Sequence, residues 1–93
     1  MTRRADIEAA IAAYNSADHG ILLPPSAARL LNVMFSEGSV CQRRLLELET
    51  EGFDGRTLRQ LLRALVDAGF LFKEQGVGGA PNTYRLHLPG RRR

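Results

Sequence analysis

Arg56, Thr57, Arg59, Gln60 and Arg63 lie within eight consecutive positions and share the non-core face of one stretch of the chain. They belong to the stretch "DGRTLRQLLRALVDAGFLF", in which no acidic residue falls between Asp54 and Asp67. Arginine offers a planar fork of N–H donors that holds a phosphate or carboxylate through two parallel bonds. Threonine and glutamine add neutral donors and acceptors. This is the chemistry of recognition. Nothing in the chain resembles a nucleophile paired with a base, and His19 and His87 are isolated. The glycines of "GVGG" fall between two expected strands and not on a strand-to-helix turn, so they make a hairpin loop rather than a phosphate cradle. No enzymatic activity is expected.

The remaining reactive residues are few. Cys41 is the single cysteine, which excludes an intrachain disulfide and fits a reducing compartment. One cysteine and two histidines in separate segments do not make a metal site, and no cofactor is expected. Cys41 beside Arg43 and Arg44 is either a redox thiol or a small filler at a helix start.

Helices must position the arginine-rich face. Asp54 is placed to cap a helix, and Leu58, Leu61, Leu62 and Leu65 repeat at i, i+3, i+4 and i+7 as its buried stripe. Gly69 closes it with a left-handed cap. "FLFKEQ" and "TYRLHL" then predict two strands joined by the loop "GVGGAPN". In the second strand Tyr84, Leu86 and Leu88 alternate with Thr83, Arg85 and His87. Upstream, "SAARLLNVMFSEG" predicts a helix with a wide apolar stripe of Ala27, Leu30, Leu31, Met34 and Phe35, opened at Pro25 or Ser26 and stopped at Gly38. "SVCQRRLLELETEGF" predicts a further helix with Ser39 and Gln42 as a capping box, Leu45, Leu48, Val40 and Leu46 as core positions, and Gly52 as its end. Phe53 follows at the corner between helices. Residues 5–17 predict a first helix, striped by Ile7, Ala10, Ile11 and Tyr14, which needs the domain body or a second chain to cover it. "GILLPP" connects it onward, either as a linker or as a short strand.

Ninety-three residues with 44% hydrophobic and 25% charged side chains suit one small globular domain. No apolar run approaches the roughly 20 residues needed to span a bilayer. The N-terminal stretch has no signal-peptide core, and a soluble, cytoplasmic protein is expected. The formal charge is +3, but five arginines, Arg3, Arg4, Arg91, Arg92 and Arg93, are terminal. Without them, eight basic residues face ten acidic ones. Basicity therefore resides in two arms and in local clusters, and placement matters more than net charge.

Three pieces, "SAARLLNVMFSEGSV", "GRTLRQLLRALVDAGFLFK" and "NTYRLHL", together resemble a winged helix-turn-helix domain over residues 26–88. The likeness is to bacterial transcriptional regulators of the multiple-antibiotic-resistance (MarR) and phenolic-acid-decarboxylase (PadR) types. It implies a mainly α fold with a small antiparallel β-hairpin (α+β) built on a three-helix core, to which the sequence adds an extra N-terminal helix and linker over 1–25 and a basic tail over 89–93. It further implies that the helix after the turn enters the major groove of double-stranded DNA. Arg56, Thr57, Arg59 and Gln60 then face base edges, with Arg63 further along. Arg fits guanine O6 and N7, Gln fits adenine, and Thr meets the thymine methyl. Gln42, Arg43, Asn82 and Arg85 extend the expected DNA-contacting set. Such regulators act as homodimers, and Ile7, Ile11 and Tyr14 are the expected dimer contact. The implied function is transcription control by operator occupancy.

Two features depart from the family pattern. The wing "GVGGAPNT" has no basic residue, so it meets the DNA backbone through its amides or does not touch DNA. "ELETEGF" is long and acidic, and Glu49 and Glu51 would repel phosphates unless they point away. Arginine is also the general choice of this chain, with twelve Arg to one Lys. The same features suit a winged helix that contacts protein, as a small antagonist of another regulator whose acidic surface meets the Arg face. A steep loss of duplex binding with salt would separate the two.

Overall fold

A computed structural model describes residues 4–17, 22–36 and 38–88. Arg3, His19 and the basic tail over 89–93 lie outside the described residues. Four helices and a three-stranded antiparallel sheet follow one another in the order α1 (Arg4–Ser16), α2 (Pro25–Met34), β1 (Val40–Cys41), α3 (Leu45–Glu49), α4 (Gly55–Asp67), β2 (Leu71–Glu74) and β3 (Thr83–Leu86). The fold is thus mixed α and β. Among the described residues, no helix is long and apolar enough to cross a membrane.

Helix α1 turns Ile7 and Ile11 into the chain's own core, where they are 2% and 6% exposed. Tyr14 lies half-buried, with its ring edge-on to Phe70 at 5.8 Å. Residues 22–24 form no strand, although Leu23 is buried. Asn15 holds this connector to α1 with two bonds: its Nδ2 donates to the Leu23 carbonyl at 2.9 Å and its Oδ1 accepts from the Leu23 N–H at 2.8 Å.

Helix α2 begins with Pro25 in its first turn, where a missing N–H costs nothing. It buries Ala27, Leu30, Leu31 and Met34, with Phe35 buried directly after them. It ends at Met34, short of the expected stop at Gly38.

The next segment departs most from expectation. The predicted helix from Ser39 does not form there. Val40 and Cys41 instead pair with Arg85 and Tyr84 of β3, and the Leu86 N–H donates to the Ser39 carbonyl at 2.9 Å. The expected hairpin is therefore two of three strands, in the order β1-β3-β2. The unpaired edge of β3 offers donors and acceptors that a short extended segment satisfies. The helix starts at Leu45, capped at Arg44, whose N–H donates to Glu47 Oε1 at 2.9 Å. Ser39 and Gln42 make no capping box. Leu48 is buried and Leu45 packs partly against the core, but Val40 and Leu46 are exposed.

Helix α4 agrees with its sequence pattern. Asp54 Oδ2 accepts from the Thr57 N–H at 3.2 Å, and Leu58, Leu61, Leu62 and Leu65 are buried. At its end Gly69 has φ +87°, a conformation that penalises any side chain. The Gly69 and Phe70 N–H groups return to the Val66 and Leu65 carbonyls at 3.1 and 2.9 Å. That closure aims β2 back beside β3. Phe53 fills the corner before α4, with the Arg29 guanidinium 4.3 Å above its ring.

Candidate nucleic-acid interface

The buried leucine stripe sets the exposed face of α4 by exclusion, because both share one 3.6-residue period. Arg56, Thr57, Arg59, Gln60 and Arg63 are all exposed. Arg56, Arg59 and Gln60 have no side-chain hydrogen bond or ion pair among the described residues. Thr57 is engaged at the cap, with its hydroxyl 3.4 Å from Asp54 Oδ2. Arg63 reaches Asp67 only at 4.0 Å, through two strongly exposed side chains. Such a pair contributes little and yields readily to a competing anion.

A cleft of about 380 Å³ runs along one flank of this face. Arg59 and Arg63 meet Lys73 and Asn82 there, over an apolar floor that includes Leu45, Leu62 and Tyr84. A neighbouring cleft of about 290 Å³ continues past Asn82 to Arg43 and Arg44. The structure therefore brings Arg59, Arg63, Asn82 and Arg43 to one side of the molecule. Two further cations lining these clefts were not among the expected contacts. Lys73 is the only lysine and alternates with the exposed Phe72, a signal available in the strand pattern. Arg44 stands out only in three dimensions, where its Nη2 donates to the Gly79 carbonyl at 2.9 Å and ties the β2–β3 loop to the start of α3.

Other expected contacts are occupied within the chain. Arg43 Nη2 donates to Glu51 Oε2 at 3.0 Å. The Asn82 amide oxygen accepts from the Gly76 N–H at 2.9 Å and so shapes the loop, which folds so tightly that a side chain at Gly76 would collide with the Ala80 carbonyl. Gln42 Nε2 donates to Thr83 Oγ1 at 3.0 Å. Arg85 Nε donates to Glu74 Oε1 at 2.6 Å. Arg85 also shares a row with Val40 and Phe72, the opposite side of the sheet from Tyr84 and the cleft. It does not join α4. The expected dimer stripe is likewise used inside the domain: Ile7 and Ile11 are core residues and Tyr14 packs against the core.

The acidic segment before α4 is internally neutralised in part. Glu47 accepts from the Arg44 N–H, Glu51 holds Arg43, and the Glu49 carboxylate lies close to Gly55 at the positive end of the α4 dipole. The arrangement as a whole is a helix face on which Arg56, Arg59 and Gln60 have no partner among the described residues, beside a cationic cleft. It can grip a polyanion by paired N–H···O bonds. No protein-family model matches this chain, and no curated protein or solved structure matches it.

Proposed function

We propose that the chain is a winged helix-turn-helix DNA-binding domain, a cytoplasmic regulator that controls transcription by occupying an operator as a homodimer. Helix α4 lies in the major groove, and the protein performs no chemistry of its own. The observation that carries this function is that Arg56, Arg59 and Gln60, on the N-terminal half of α4, have no partner among the described residues, in a body where several other exposed charges do. Three helices leading into an antiparallel hairpin support the same reading.

Arg56 and Arg59 address guanine edges, Gln60 an adenine, and Thr57 a thymine methyl. Arg63 and Lys73 meet phosphates along the cleft. The wing loop, which has no cation and is tied by Arg44 and Asn82, approaches the backbone with its amides.

Fluorescence titration of the protein against a random-sequence duplex at two salt concentrations tests this function. The expected affinity falls with salt at a slope of about −0.9 per neutralised phosphate. A duplex affinity that is absent, or that does not respond to salt, would make the α4 face a surface for an acidic protein, as in an antagonist of another regulator.

A further inference from the structure

Helices cover only one face of the sheet. Cys41, Leu71 and Tyr84 are buried on that side. The strand register places Val40, Arg85 and Phe72 in one row across the other side, and all three are exposed. Phe72 is 57% exposed and Val40 48% exposed, and the His87 ring lies 5.6 Å from the Phe72 ring. On this face Arg85 pairs with Glu74 and Gln42 with Thr83. Nucleic acid is favoured by unpaired cations, whereas this face is electrically balanced and centred on an aromatic ring.

We propose that this face is the surface through which two copies of the chain associate, with Phe72 seated against the second copy. The charge pattern selects a second copy as the occupant. Arg85 and Glu74 stand side by side, so a two-fold axis passing between them sets each Arg85 over the partner's Glu74. A patch carrying both signs at adjacent positions is complementary to itself, which an isologous interface requires. Aromatic and arginine side chains are also the types that anchor interfaces. The other apolar stripe that the sequence offers for self-association, that of Ile7 and Ile11, is consumed in the core. The inference does not depend on what α4 binds.

Sedimentation equilibrium of the full chain without nucleic acid tests it, with circular dichroism to confirm that each variant is folded. The wild type is expected to show a reversible monomer–dimer equilibrium. Phe72→Glu should raise the dissociation constant roughly thirtyfold or more. Arg85→Glu should raise it less, and Arg85→Glu combined with Glu74→Arg should restore it. Arg59→Ala should leave it unchanged. A wild-type chain that stays monomeric at about 1 mM overturns the inference. So does a folded Phe72→Glu variant with an unaltered dimer constant, which would leave the face to residues 89–93 or to a different protein.

Discussion

The outer face of α4 and the outer face of the sheet are both exposed surfaces opposite a buried apolar stripe, and both carry arginine. They differ in what the arginines do. On α4, Arg56 and Arg59 have no partner among the described residues, and Arg63 has only a long, solvated one. On the sheet, Arg85 is held by Glu74 at 2.6 Å and the neighbouring polar pair is closed by Gln42 and Thr83. The sheet carries an exposed aromatic ring where α4 has none. Counting cations would rank the two faces by degree. Pairing distinguishes them in kind: unpaired forks are available to an anion, whereas a balanced, apolar-centred face has little to offer one.

Substitutions can break or sharpen this contrast. The largest effect is expected at Leu62, which supports the α4 face from within. Leu62→Ala should lower unfolding free energy by about 2–5 kcal/mol in urea denaturation, because it empties a buried site. A loss well below that range would mean that the helix is phased differently and that the exposed face is wrongly assigned.

Next in size, Arg56→Ala and Arg59→Ala should each weaken specific duplex binding by roughly 1–3 kcal/mol and relax base preference, as read by competition titration. Arg59→Lys should not rescue the lost preference, since a single ammonium cannot reproduce the fork. Equal binding by wild type and Arg59→Ala would remove the distinction between the two surfaces.

A smaller effect is expected on the sheet. Arg85→Ala breaks an exposed pair and should change unfolding free energy by no more than about 1 kcal/mol. It should leave the salt slope of duplex binding unaltered, whereas Lys73→Ala should reduce that slope by about one. A salt slope that falls with Arg85→Ala would place the sheet face at the nucleic acid after all.

The smallest effect is local. Arg44→Ala removes the tie to Gly79 and should speed hydrogen exchange in the β2–β3 loop while leaving the α4 core amides protected. Faster exchange throughout the domain would show that the tie supports more than the loop.

The limits of sequence legibility follow the same division. The exposed positions of α4 could be read because one periodicity set both its buried and its exposed residues. Arg43, Arg85, Gln42 and Asn82 could not be assigned in that way, since their partners Glu51, Glu74, Thr83 and Gly76 come from other turns and strands. A cation looks the same in sequence whether or not a carboxylate from another segment reaches it.

Local order determined much of the fold from sequence alone. The stripes of α1, α2 and α4, the Asp54 cap and the Gly69 closure rest on groups within a few residues of one another, and the β2–β3 hairpin pairs strands that follow one another in the chain, so local order encodes them. The tertiary structure decided where nonlocal partners compete. Val40 and Cys41 lie beside a plausible helical pattern, yet they are extended because β3, more than forty residues later, supplies an edge to pair with. A two-residue strand has no stability of its own, so its existence depends on that edge. Ile7 and Ile11 had to be covered, and only packing chose the chain's own core over a second copy. Burial of an apolar stripe is favourable wherever it occurs, and the hydrophobic effect is non-directional; the arrangement of the remaining elements decides which surface meets it.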